Sequence, residues 1–173
     1  MSNGPIPKKI DPRKMAERGA QISAEVAVSA MPEFCDMLAD QDARIQVELD
    51  FSIDEQRIRL IQGQATGQVN MICQRCLEPV EITVAATFNL GIAASEEAAK
   101  QLPRYYDPVI VEAEELELIP LVQEELILSI PHDAYHEDCS IQTSFGEPET
   151  VATESKKPNP FSVLANLKKA DTK

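Results

Sequence analysis

Tryptophan is absent from these 173 residues, and aromatic residues of every kind make up only 5%. A core must therefore be built mainly from Val, Ile, Leu and Ala. No platform of interleaved aromatic and basic side chains for base stacking can be drawn. Long apolar runs are missing too; none approaches the roughly 18 residues of a membrane span. The opening residues, Met1 to Pro5, lack the apolar stretch of a signal peptide. The expectation is a cytoplasmic protein without membrane contact. Cysteines number four, and in that compartment they stay reduced or bind metal rather than forming a disulfide framework. The six glycines form no Gly-rich phosphate-cradling loop. No small-molecule substrate is expected.

Positive charge is the other scarcity. The formal net charge is −13, with 16 basic residues against 29 acidic ones. Phosphate contacts need clustered Lys and Arg, so the bulk of the chain is a poor polyanion binder. The cations gather at the ends: five lie between Lys8 and Arg18 and five between Lys156 and Lys173. From Asp107 to Glu125 there are seven carboxylates and no basic residue. The ends can touch RNA or another acidic surface, or simply mark solvated termini.

The length suits one domain with tails. The expected organisation is a flexible basic arm over residues 1–20, one α+β domain over 21–145, and a mobile tail over 146–173. That tail is polar from Glu147 to Lys157 and holds a short terminal element at Pro158-Asn159-Pro160-Phe161. Asp11-Pro12 starts a short helix through Met15 and Arg18, with Asp11 as cap. Ile22 to Val28 alternates as a strand. Pro32 opens a short helix that places Phe34, Met37 and Leu38 on one face, with Cys35 in the core.

The clearest pattern starts at Arg44. Ile45, Val47, Leu49, Phe51 and Ile53 alternate with polar residues, giving a strand with one wet face. After a turn at Asp54-Glu55, Ile58 and Leu60 continue on a second strand that ends near Gly63. Ala65 to Cys73 and Val80 to Leu90 supply two more. The short connections predict an antiparallel meander, or a partly closed sheet. Ser95 to Lys100 reads as a short helix or an ordered loop, and Val109 to Val111 as an edge strand. Leu118 to Ile130 has helical apolar spacing, with Pro120 in its first turn and Pro131 ending it. The fold class expected is α+β, with a few short helices packed on one side of the sheet.

Cys73-Gln74-Arg75-Cys76 is the sharpest local motif. Two thiols three positions apart point the same way across a turn, as a metal knuckle requires. Partners are available among His132, His136 and Cys139. His136-Glu137-Asp138-Cys139 repeats the three-residue offset and completes a Cys₃His set with Cys73 and Cys76, for which zinc is the candidate ion. In the alternative, Cys73 is a core residue, Cys76 a turn residue, and His136 and Cys139 bystanders. Thioredoxin-like chemistry would need a helix after the first cysteine, and strands flank this pair. A Cys–His hydrolase would need an orienting group and oxyanion donors, and none is identified. No enzyme is expected.

Candidate RNA contacts are Arg57, Arg59 and Arg75, read as one small basic spot on the meander, with Arg57 and Arg59 on a shared strand face. Lys156, Lys157, Lys168 and Lys169 flank the Pro-Asn-Pro-Phe element. Contact through them would be to backbone and shape rather than to sequence. Ordinary surface charge is the other reading of each.

Several segments, taken in order, resemble one family. Cys73-Gln74-Arg75-Cys76 is similar to the CxRC signature of the YceD-type large ribosomal RNA accumulation proteins. Leu102-Pro103-Arg104-Tyr105-Tyr106-Asp107-Pro108 resembles that family's Leu-Pro-x-x-Tyr-acid-Pro segment. Glu124 to Pro131 is similar to its acidic-aliphatic helix and closing proline. Phe145-Gly146-Glu147 and the stretch from Lys157 to Lys168 resemble its C-terminal signature. The resemblance runs from about Arg44 to Lys169. It implies a non-enzymatic role in accumulation or processing of 23S ribosomal RNA and in large-subunit biogenesis. The implied partners are ribosomal RNA, large-subunit ribosomal proteins or assembly intermediates. An alternative is an adaptor whose acidic helix Leu118–Ile130 binds a basic ribosomal or assembly protein without touching RNA.

Overall fold

The computed structural model describes residues 2–112 and 114–141 of the chain. The expected tail, with its Pro-Asn-Pro-Phe element and Lys156, Lys157, Lys168 and Lys169, lies outside the described residues.

Period-two alternation builds the centre of the molecule. In β4 (Arg44–Ile53) Ile45, Val47, Leu49 and Phe51 are buried, while Arg44, Gln46 and Glu48 face solvent. β3 (Gln21–Ala27), β4, β5 (Arg59–Ile72) and β6 (Pro79–Ala93) form an antiparallel meander. Two strands add in parallel at the edges, β1 (Ser2–Asn3) beside β3 and β7 (Asp107–Ile110) beside β6. The six-stranded order is β1-β3-β4-β5-β6-β7. Among the described residues its end strands do not pair, so the sheet is open rather than partly closed. β2 (Lys9–Ile10) pairs separately with β8 (Leu116–Glu117).

The helices are short: α1 (Pro12–Arg18), α2 (Pro32–Cys35), α3 (Glu96–Ala99) and α4 (Leu118–Ser129). α1, α2 and α4 lie on one face of the sheet. Ala16, Phe34, Leu118, Val122 and Leu126 meet Ile22, Val47, Phe51, Ile61 and Phe88 in a single core. Phe34 and Phe51 are fully buried, and burying each stabilises the fold by about 2–3 kcal/mol. Residues 12–18, within the stretch expected as a basic arm, are thus part of the packed fold. Asp11 caps α1 by accepting from the N–H groups of Arg13 and Lys14, and Gly19 closes it in the left-handed conformation. The buried amide of Gln123 in α4 accepts from the Glu33 N–H at 3.2 Å, satisfying a donor in the first turn of α2.

Three expectations change. The strand break at Gly63 does not occur, because β5 runs unbroken for 14 residues. Leu60 and Ala65 suggested two strands because they are buried on opposite faces of one strand. Leu60 sits opposite Gly91, over which Leu102 and Tyr106 lie. Second, α2 ends after one turn. Phe34 is therefore buried, while Met37, which a longer helix would have kept beside it, is 43% exposed. Third, the edge strand at Val109 runs parallel to its neighbour, because residues 94–106 carry the chain back before it pairs. Among the described residues no helix is long and apolar enough to cross a membrane.

Candidate metal centre

Beyond Ile72 the chain turns tightly before β6. Leu77 takes a positive φ of 63° and donates its N–H to the Cys73 carbonyl at 3.0 Å; Cys73 donates to Glu78 O at 2.9 Å. Cys73 and Cys76 thus flank a closed turn, and the Arg75 N–H points at Cys73 Sγ, 3.4 Å away. The opposing segment follows α4, which Ile130 and Pro131 end. It is pinned to the turn by the Gln74 N–H on Ala134 O at 2.9 Å. Ala134 is buried with Met71, Cys73 and Val80 in a small second cluster.

This pinning brings the two three-residue offsets together. The ligand atoms of Cys73, Cys76, His136 and Cys139 all lie within 4.8 Å of one another. Cys73 Sγ is 3.6 Å from Cys139 Sγ, and Cys76 Sγ is 3.3 Å from His136 Nδ1. With zinc–sulfur bonds of about 2.3 Å, a tetrahedron puts its ligand atoms about 3.7 Å apart. The cluster is therefore close to the required size. The thiols are free.

His136 is held in the tautomer such a site needs. Its Nε2 lies 3.1 Å from Pro79 O. A carbonyl oxygen only accepts, so Nε2 carries the hydrogen and Nδ1 turns its lone pair toward the sulfurs. Burial by itself would raise the Cys73 thiol. The N–H groups of Cys76, His136 and Arg75 and the His136 side chain outweigh it, bringing Cys73 down to about 5. Cys139 moves up, through burial and through hydrogen bonds to Cys73 and Cys76. A cation among these atoms would relieve the conflict between neighbouring thiolates. His132, the other imidazole weighed from sequence, is not part of the cluster.

The arginines do not form one basic spot. Arg57 lies in the β4–β5 turn with a φ of 66°, not on the strand face shared with Arg59. Arg59 starts β5 and is ion-paired to Glu17 at 2.8 Å. Arg75 lies beyond the far end of β5, roughly 40 Å of extended chain away. Its Nη1 donates to Cys139 O at 3.0 Å, and its guanidinium lies 5.4 Å from the Tyr135 ring centre. That side chain braces the cluster, a role the sequence does not signal because Arg75 and Cys139 are distant along the chain. Lys156, Lys157, Lys168 and Lys169 lie outside the described residues.

A two-layer α+β protein with helices on one sheet face and a Cys₃His cluster at a hairpin end is, by class, a small scaffold with a candidate metal-binding group. Comparison with known proteins goes further. The sequence model of the family described as large ribosomal RNA subunit accumulation protein YceD matches residues 61–168. A curated protein of Haemophilus influenzae (strain ATCC 51907 / DSM 11121 / KW20 / Rd), named large ribosomal RNA subunit accumulation protein YceD, is 35% identical over 170 residues. The match covers 94% of this chain and 96% of that relative. This chain belongs to the YceD large ribosomal RNA subunit accumulation family. No solved structure matches it.

Proposed function

We propose that the chain is a cytoplasmic, non-enzymatic factor for accumulation of 23S ribosomal RNA in large-subunit biogenesis, and that Cys73, Cys76, His136 and Cys139 hold a structural zinc ion. The observation that carries this reading is the closed donor set. Four protein ligands fill a tetrahedron and leave no position for water or substrate, as in structural rather than catalytic zinc sites. The ion would clamp residues 131–139 to the β5–β6 turn and so fix one end of a rigid docking platform. Family membership supplies the ribosomal RNA context.

The adaptor reading, in which the chain binds a basic ribosomal or assembly protein, has specific support. Arg59 is paired with Glu17 at the surface and Arg75 is tied to Cys139 O, so RNA contact would fall to Arg57, the other basic residues without an ion pair and the terminal lysines. Deleting the gene should lower mature large-subunit RNA relative to small-subunit RNA; a normal ratio would remove the proposed role. Purified protein should carry about one zinc per chain, and Cys73→Ser should lose it. A wild type that is folded and metal-free would remove the zinc.

A further inference from the structure

The face of the sheet opposite α1, α2 and α4 is covered by Leu102 and Tyr106 at its Leu60–Gly91 end. Beside that, among the described residues, it is open across β3 to β6, and register aligns its polar side chains in rows. Gln21, Asp50, Gln62 and Asn89 are cross-strand partners in one row. Two residues along each strand lie Ser23, Glu48, Gln64 and Thr87. Between the rows a trough of about 670 Å³ crosses all four strands, floored by backbone. Strands sit about 4.8 Å apart, so an extended chain would cross it in four or five residues.

The walls are chemically one-sided. Glu48 and Asp50, two residues apart on β4, face each other across the trough at about 7 Å. Asp50 accepts from Gln21 Nε2 at 2.6 Å and keeps further lone pairs free. The Glu48 carboxylate has no ion-pair partner among the described residues. Asn89 Oδ1, on β6 at the edge of the trough, has no hydrogen-bond partner and would need a small side-chain turn to meet a donor there. Neither row holds a Lys or Arg. Arg44, further along β4 on the same face, is already paired with Glu25 at 2.9 Å.

We propose that this trough docks an extended Arg- and Lys-rich segment of a partner protein. Its cationic groups would settle between Glu48 and Asp50, and its backbone would be met by the amides of Gln62, Gln64 and Asn89. Guanidinium and ammonium groups only donate, and the trough supplies acceptors. A phosphodiester chain would bring negative charge to carboxylates. The strongly acidic surface adds long-range steering toward a basic partner. This inference rests on the docking reading above and deepens it by naming the partner chemistry.

The test uses the full-length chain and a fluorescent peptide of about twelve residues alternating Arg and Ser, long enough to cross the trough. Fluorescence anisotropy should show binding by wild type. The pair Glu48→Lys with Asp50→Lys should weaken it at least about tenfold, the scale expected when close charge pairs are reversed. The pair Glu33→Lys with Glu124→Lys makes the same change of charge on the covered side and should alter binding less than about threefold. If the reversed trough pair is misfolded by circular dichroism, Glu48→Gln with Asp50→Asn is read instead, with a loss above about threefold expected. No peptide binding, or equal loss in both charge-reversed pairs, overturns the proposal. So does a single-stranded RNA homopolymer that displaces the peptide from wild type and loses its own binding in the trough variant. Such a failure beside a lowered large-subunit RNA ratio in deleted cells would leave the docking reading standing and remove only this trough.

Discussion

Gly63 sits mid-strand in β5, where a glycine ordinarily weakens pairing. Here the missing side chain is the point of contact. A Cβ at this position would lie 2.0 Å from ring atoms of Phe88, the residue directly opposite on β6. The ring occupies the space a side chain would take. Gly63→Ala should therefore cost about 2–3 kcal/mol by overpacking, measured by urea unfolding. Phe88→Leu should relieve much of that loss, so a double-mutant cycle should be clearly non-additive. Glu125 gives a second residue-scale prediction. Burial, then repulsion from Asp107 and Glu124, raises its carboxyl above the ordinary value. A raised acid favours folding when protonated, and that contribution is lost as pH rises through the folded-state value. Glu125→Gln should thus be more stable than wild type at pH 7. The two should converge below about pH 4, where the unfolded-state carboxyl is also protonated. Glutamine and glutamate have similar helix propensity, so thermal melts at the two pH values isolate the charge.

At the scale of elements, the sequence was legible wherever period and cap agreed. Asp11-Pro12 marks α1, Pro120 and Pro131 bound α4, and alternation from Ile45 to Phe51 defines β4. It misled at Gly63, because glycine reads as punctuation when the ring that fills its place lies on another strand. The candidate centre was legible as two halves, each with a three-residue offset. What joins them was not: Cys76 and His136 are 60 residues apart, and their meeting depends on how α4 returns the chain to the β5–β6 turn. The brace from Arg75 to Cys139 was hidden for the same reason. The two halves suggest a specific response to metal removal. Apart from the donor cluster itself, residues 131–141 are held by the Gln74–Ala134 and His136–Pro79 bonds, the Ala134 burial and the Arg75 brace. Chelation, or Cys139→Ser, should therefore expose that segment to limited proteolysis while β3–β6 stay protected from amide exchange. Equal protection of the segment with and without chelator would show that the clamp does not depend on metal.

Over the whole molecule, charge is divided more sharply than the net value indicates. Residues 1–141 hold 11 of the 16 basic and 25 of the 29 acidic residues, a net of −14, whereas residues 142–173 are net +1. Within the described residues Lys9, Lys14, Arg44 and Arg59 are ion-paired, and Arg75 is tied to Cys139 O. Lys8, Arg18, Arg57, Lys100 and Arg104 have no ion pair or side-chain hydrogen bond among the described residues, but they lie in a segment of net −14, so phosphate contact is expected of the net-positive residues 142–173. Replacing Lys156, Lys157, Lys168 and Lys169 by Gln should remove most direct affinity for ribosomal RNA fragments. The slope of log affinity against log salt should flatten by about 0.7–0.9 for every phosphate that is no longer neutralised. A filter-binding titration reads both quantities. The same substitution removes repulsion toward cations, so binding of an Arg-rich peptide should hold or strengthen. An unchanged RNA slope in this variant would move the contact to the folded domain, where Arg57 and the first cluster of basic residues, Lys8 to Arg18, would have to carry it against a surrounding negative field.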